Sequence, residues 1–491
     1  MEFHSYYRYN ICRNRGDSMS ASQEKLIYRS LATQIQLGFF DDGERFPSAQ
    51  EIAMRHRVSY CPAQRALKAL EKDGLIKLCR GRQTTILSKP YENYLASPLF
   101  TERLTALADL NKSLEMISPS LCSQAIAHID LNQLSDPPDV EHPMKWLHWF
   151  LSRSLQELGS RTVMSLYYDI GEFVESAYAD ILYTEYGDFN QLVSYCAQLW
   201  HSLQHMDRIT AVQCMETIGK HFFLSMDMYF QSAVNSIGDT TQRPFIWEPH
   251  KGRTRYCDTI AIDLVCKIKQ GMYPIGTLLP GSAVLADIYH VSEITIRRTI
   301  ALLNRLGIAK NMNGIGTRIV SSGTETNLIH LRELMLDENL RTCLEALQLV
   351  AITCERVVQC TFPYLTGESL ADLHQSICLK DPLAAVVSTI SASLQAITRC
   401  CPLKMVREIY EKSTLLLLNG SILRLDKIYC CLIPNWPAFS QELLQSLEKN
   451  DAASFAQSLR RLFVANFVQL KQALVNARIT EADDVKQPLS I

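Results

Sequence analysis

At 491 residues the chain is too long for a single core and predicts three or four domains. Its 47% hydrophobic and 20% charged residues are an ordinary globular balance, which excludes a disordered or fibrous chain. The net charge of −2 conceals an asymmetry: residues 1–90 hold 15 Lys+Arg against 9 Asp+Glu and residues 251–321 hold 10 against 4, so each region is +6 and the rest of the chain carries −14. Basic regions on an acidic body suit a polyanionic partner, because only the surface facing phosphates gains from counterion release.

In chain order, residues 1–19 read as an N-terminal extension. Tyr6, Tyr7, Arg8, Tyr9, Arg13 and Arg15 leave no apolar h-region, so the stretch is not a signal peptide. It reads either as a basic arm or as sequence ahead of a start at Met19. The next stretch organises the chain, because Gly38–Ile86 is written again, without a gap, as Gly271–Ile319. Gly43 pairs with Gly276, Pro47 with Pro280, Val58-Ser59 with Val291-Ser292, Arg65 with Arg298, Gly74 with Gly307, Gly81 with Gly314 and Thr84 with Thr317, all at a constant offset of 233.

Each copy predicts a helix, then two more helices and a hairpin. Leu26, Ile27, Leu31, Ile35 and Leu37 recur at helical spacing before Gly38. Ser48 followed by Glu51 three residues on is a capping box opening a short helix through Arg55; Gly281 replaces the Ser in copy two and weakens that cap. Ser59 and Ser292 are N-caps for a third helix, whose apolar sets are Ala63, Ala66, Leu67, Leu70 and Ile296, Thr299, Ile300, Leu303. Two helices split by a few residues read as helix-turn-helix. The runs 75–78 and 84–87 around Arg80-Gly81-Arg82-Gln83 read as a β-hairpin, a wing.

These residues resemble, through the whole of each copy, the winged-helix head of the GntR family of bacterial transcription regulators. The resemblance implies a double-stranded DNA partner and contacts from Ser48, Gln50, Ser59, Tyr60, Gln64, Arg65, Arg80, Gly81 and Arg82 in copy one, and from Ser292, Glu293, Thr295, Arg297, Arg298, Gly314 and Arg318 in copy two. Gln bonds bidentately to adenine, Arg to guanine, and Glu accepts from cytosine N4; Arg65 and Arg298 suit either a base edge or a phosphate. The family's Arg in the capping-box helix is Gln50 here and Ala283 in copy two, and its Arg after the N-cap Ser is Tyr60 and Glu293, so the family's usual operator does not carry over.

Residues 89–235 predict helices at 99–117, 121–128, 143–158, 161–185, 189–205 and 208–234, with a polar break at 136–139; residues 322–480 read the same way. The bodies repeat too: Leu203-Gln204-His205-Met206-Asp207, then Met215 and Phe223, matches Leu447-Glu448-Lys449-Asn450-Asp451, then Leu459 and Phe467, at an offset of 244. Over this short stretch of each body the pattern is similar to the end of the FCD effector domain of one GntR branch. Its metal ligands would be an Asp-x-x-x-His pair and two further His. Alignment on Asp207 and Asp451 puts Cys196 and Ser440 at the first of those His and Ile218 and Leu462 at the second, so no metal site is expected by resemblance. His201 and His205 lie four apart on one helix face, with His148 and His221 as third-ligand candidates, a spacing that can bind a metal; the bland reading is solvated or core His.

Residues 236–253, with Pro244, Pro249 and Gly252, read as a linker between unit one and a second head at 254–321, and 481–491 as a tail. The 16 Cys have no framework spacing, which predicts a reducing compartment. They read as small buried apolar side chains in preference to a thiol sensor. The run 382–398 is broken by Ser and Thr and short for a bilayer, so no membrane span and a cytoplasmic location are expected.

The expected fold is therefore mainly α: a winged helix-turn-helix (20–88) and an all-α bundle (89–235), repeated as 254–321 and 322–480. The expected function is a sequence-specific DNA-binding transcription regulator, an internal pseudo-dimer with small-molecule-responsive bodies, no cofactor, and further homodimerisation left open. One rival is an interaction protein whose heads no longer read DNA. The enzyme rival, a head fused to a pyridoxal-phosphate aminotransferase fold, needs a large Gly-rich α/β domain, and 20 Gly in the chain with a second head in that place count against it.

Overall fold

The repeat written in the sequence is also a repeat of backbone geometry. The computed structural model describes residues 24, 27–32, 34, 35, 40, 46–55, 58–79, 84–87, 94–130, 137, 139–174, 176–185, 190–236, 242–249, 256–312, 314–323, 337–421 and 436–489. The chain is mainly α. It divides into two compact units, residues 1–156 with 163–253, and residues 254–491 with 157–162.

In head one, Ala49–Arg55 and Tyr60–Lys72 form the helix-turn-helix, and Ile76–Lys77 pairs antiparallel with Thr85–Ile86 as the wing. Head two has Tyr256–Lys269, then Ser282–Tyr289 and Glu293–Arg305, then Ala309–Met312 paired with Gly316–Ile319. Leu278 adds a bridge to Arg318. The same backbone bonds close the same turns in both copies. Val58 N donates to Ala53 O and Val291 N to Ala286 O; Leu75 N donates to Leu70 O and Ile308 N to Leu303 O, each at 3.0 Å. The second pair wraps around Gly74 (φ +73°) and Gly307 (φ +67°), a left-handed turn that ends the third helix and that a residue with a Cβ adopts only under strain. The predicted apolar faces are the cores: Ala63, Ala66, Leu67 and Leu70 are buried with Ile27, Leu31 and Ile52, and Ile296, Thr299, Ile300 and Leu303 are buried in copy two.

Body one is a helical bundle of Pro98–His128, Pro143–Gln156, Arg161–Val174, Ala177–Glu185, Asn190–Gln204 and Arg208–Asn235. Two boundaries differ from the sequence reading. The break expected between 117 and 121 does not occur, although Pro119 deletes one helical donor. Buried Ile117, Leu121 and Cys122 flank the proline, and the helix packs along Arg208–Asn235, so burial on both sides outweighs the lost bond. Conversely, 161–185 is interrupted after Val174; Ser176 accepts Asp180 N at 2.8 Å and donates to its carboxylate at 2.7 Å, starting a new helix.

Body two is built from Asp337–Thr361, Gly367–Ile377, Pro382–Cys400, Lys404–Leu417, Trp436–Glu448 and Ala452–Asn476. The offset between the bodies also has a structural counterpart. Met206 (φ 60°) and Asn450 (φ 54°) are both left-handed, and each is followed by an N-cap: Asp207 accepts Thr210 N and Asp451 accepts Ser454 N, each at 3.0 Å. Among the described residues one helix, Pro382–Cys400, is long and apolar enough by composition to cross a membrane, where the sequence reading expected none. It packs against Gly367–Ile377, Asp337–Thr361 and Lys404–Leu417, as a core helix does.

Each head docks on its own body. In head one Arg29 pairs with Asp169 and, at 3.4 Å, with Glu172, and Tyr168 bonds Ser30. In head two Thr259 donates to Asn419 Oδ1 at 3.0 Å and Ser421 donates to Asp263 at 3.1 Å. Asp263 also holds Lys267 at 2.8 Å and accepts from Tyr289 Oη at 2.7 Å.

The segments read as a linker (236–253) and a tail (481–491) both contain packed residues. In 242–248, Gln242 and Arg243 bond the start of helix Pro98–His128, Phe245 meets Phe173 edge-on at 5.4 Å, and Trp247 is fully buried. At the C-terminus Ala482 and Val485 are buried.

Trp247→Ala should cost about 3–5 kcal/mol, as for other buried aromatic truncations, read by urea denaturation. A cost near zero would make 242–248 a passive tether. Burial outweighs the Arg29 charge and pushes the Asp169 carboxyl up to about 7. A folded pKa above the unfolded value means that the folded state binds the extra proton, so this group's stabilisation is complete below about pH 4 and is lost as pH rises towards 7. Asp169→Asn should flatten the stability profile over that window, and an unchanged slope would remove Asp169 as its source.

Candidate nucleic-acid interface

The reading surface of a winged helix is the N-terminal part of its second helix-turn-helix helix, flanked by the turn and the wing. In head one this surface is well capped at the first helix: Ser48 N donates to Glu51 Oε2 at 2.7 Å and Glu51 N to Ser48 Oγ at 3.3 Å, the reciprocal box expected from the spacing. Gln50 is exposed beside it. Ser59 occupies the N-cap of Tyr60–Lys72 without a side-chain cap bond, which leaves its hydroxyl available to a phosphate. Tyr60 and Gln64 point to solvent one turn apart.

Arg65 is placed differently from its neighbours. It is half-buried, and its Nε lies 3.3 Å from a carboxylate oxygen of Glu24 on the head's first helix, so part of its charge is already neutralised. That arrangement favours a positioning role over base reading. Arg80, Gly81 and Arg82, the expected wing contacts, lie outside the described residues.

Head two keeps the scaffold and changes the chemistry. Gly281 offers no side-chain cap, whereas Ser292 accepts Thr295 N at 3.3 Å and bonds its hydroxyl at 3.0 Å, so Thr295 is held in the cap. Glu293 and Arg297 are both exposed, but they bond each other at 3.0 Å across one helical turn. The carboxylate therefore occupies the guanidinium that sequence reading assigned to DNA. Arg298 is exposed one residue on. On the wing Gly314 turns the hairpin at φ +73°, and Arg318 sits opposite Lys310 on the ladder, both exposed. Lys310 escaped the sequence reading, although two cations that pair across a hairpin are visible once its register is known.

The larger change is apolar. Val284 (52% exposed), Ile294 (60%) and Ile315 (58%) stand on the helix Ser282–Tyr289, the recognition helix and the wing tip of head two, with Ile288 on the same helix as Val284. At the offset of 233, head one has Glu51, Cys61, Arg82 and Arg55 in their places. Single exposed apolar residues need no explanation; four on these elements replace ionic or polar chemistry with a surface that gains from contact with methyl groups.

The ring centroids of His201 and His205 lie 4.1 Å apart, but no third ligand is grouped with them among the described residues. His205 Nδ1 donates to His201 O at 2.8 Å, His221 meets Tyr195 Oη at 3.4 Å, and His148 is buried against Tyr167 Oη at 2.9 Å, its pKa lowered to about 4 by burial. Among the described residues no three His, Cys, Asp or Glu side chains are arranged to hold a metal.

Comparison with known proteins places the heads. The family described as bacterial regulatory proteins, gntR family, matches residues 23–86 and again 257–319. No curated protein matches the chain. Of 16 matching solved chains, a Streptococcus agalactiae GntR is 19% identical with a TM-score of 0.20, over 43% of this chain and 99% of its own. A GntR-family transcriptional regulator from Pseudomonas syringae pv. tomato str. DC3000 is 16% identical with a TM-score of 0.21, over 45% of this chain and 87% of its own.

Glu293→Gln should free Arg297 and remove a negative charge from the reading surface. Duplex affinity should rise, and the plot of log K against log salt should steepen by about 1. An unchanged slope in salt titrations would place Glu293 and Arg297 off the DNA.

Proposed function

We propose that this chain, whose two winged-helix heads are GntR-family domains, is a transcription regulator that carries both reading heads of a dimer in one polypeptide and so binds an asymmetric DNA site. The observation that carries this reading is the pair of unlike recognition helices on a common scaffold: Tyr60, Cys61, Pro62 and Gln64 in one, Glu293, Ile294, Thr295 and Arg297 in the other. Helix-turn-helix proteins address two half-sites about 34 Å apart, and identical heads impose a palindrome. Unlike heads remove that requirement. The +6 charge of each head region supports phosphate contact, and the helical bodies supply the effector side, with a cavity of about 230 Å³ in body one.

A second reading is favoured by the apolar face of head two. Val284, Ile294 and Ile315, with Arg297 held by Glu293, suit a head that docks on another surface while head one alone reads DNA.

Footprinting with one chain per site separates the two. The first reading expects two unlike protected half-sites, with Gln64→Ala weakening one and Arg298→Ala the other, each by about 1–3 kcal/mol where the side chain reads a base. A palindrome protected by two chains, with Arg298→Ala silent, would overturn it in favour of the second. Affinity should also fall by orders of magnitude from about 50 to about 200 mM salt for six or more phosphate contacts; salt-independent binding would remove DNA as the partner.

A further inference from the structure

Body one holds a cavity of about 230 Å³, walled by Leu, Ile, Val, Met, Phe and Tyr side chains from the helices Pro98–His128, Pro143–Gln156, Arg161–Val174, Ala177–Glu185 and Arg208–Asn235. Among the described residues no Lys or Arg lines it. The one carboxylate in that wall is Glu216, and His148, its one basic group, is kept neutral by burial. An anionic ligand would therefore enter without a countercharge.

We infer that this cavity binds one neutral, largely apolar ring molecule, and that body two has lost the equivalent site. The inference rests on the reading of the bodies as effector domains and names the ligand class. Size follows from volume: an apolar cavity of ~150 Å³ accommodates benzene, so about nine or ten non-hydrogen atoms fit here.

The loss in body two has a single-residue cause. At the offset of 244, Gly219 of the cavity wall corresponds to Phe463, which is fully buried. A fully buried phenyl ring thus occupies the sequence position at which body one has glycine. The void beside that helix in body two, lined by Phe455 and Leu459, is about 10 Å³, no more than one water. One chain therefore takes one ligand for its two heads.

The site also has a route to head one. On the helix Arg161–Val174, Val163, Leu166, Ile170 and Val174 face the cavity, while Asp169 and Glu172 on the same helix hold Arg29 of the head. Filling the cavity loads the helix on which head one is mounted.

Calorimetry on the full chain tests this with three probes of one shape: indole, its hydrocarbon isostere indene, and indole-2-carboxylate. Indole and indene should each bind at one per chain, and the carboxylate should not compete. Gly219→Phe, which copies body two, should abolish both. Two sites per chain, equal or tighter binding of the carboxylate, or no binding of indole or indene would overturn the inference. Anisotropy of labelled operator DNA with and without indole is the separate arm: saturation of the cavity with no change in DNA affinity would uphold the site and refute the effector reading.

Discussion

The first helix of each head has to serve two cores at once, and the rest of each unit depends on that double burial. In head two the helix Tyr256–Lys269 is buried along nearly its whole length, including Asp258, Thr259 and Asp263, because one face closes the winged helix and the other lies on body two. Polar groups enter such a sandwich only if they are bonded. Asp263 meets that condition three times over, with Lys267, Tyr289 and Ser421. Those directional bonds fix the angle of head to body, which apolar packing alone leaves loose.

Head one solves the same problem with different chemistry. Arg29 reaches a carboxylate pair, Asp169 and Glu172, in place of the hydroxyl-donated bonds made by Thr259 and Ser421. A partly buried ion pair balances a large desolvation cost against a large attraction, so its strength answers to small changes in its surroundings. The mount of head one is thus the more easily perturbed, and it sits on a helix that lines the cavity of body one. Head two is mounted through Thr259, Asp263 and Ser421 on a body in which Phe463 is fully buried.

Much of the heads was legible in the sequence because the signals were local. Gly74 and Gly307 mark a left-handed turn that few other residues tolerate, and the Ser48–Glu51 spacing defines a capping box without reference to the rest of the fold. What escaped was decided at long range. Pro119 reads locally as a helix end, and only the burial of its neighbours against Arg208–Asn235 keeps the helix whole. The prolines around 244–249 read as a linker, whereas Phe245 is tied to Phe173, far back in the chain, and Trp247 is fully buried. Arg65 suited either a base edge or a phosphate by its position, and its ion pair with Glu24, which faces it from another helix, was not visible in the sequence. The cavity was invisible for the same reason: a glycine at 219 announces space only when its counterpart at 463 is seen to be buried phenylalanine.

The covalent link between the heads explains why such divergence is tolerable. In a homodimer every substitution on the recognition helix appears at both half-sites, so a carboxylate such as Glu293 in place of a cation would weaken the complex twice and be multiplied in the affinity. Within one chain it appears once. Moreover, a head tethered to a bound partner meets its half-site at a high effective concentration, so even a weak reader adds to the total. Glu293 pinning Arg297 and the apolar Val284, Ile294 and Ile315 lower what head two gains from phosphates. On the proposed reading the same residues would gain from thymine methyl groups, which carry sequence information that phosphates lack.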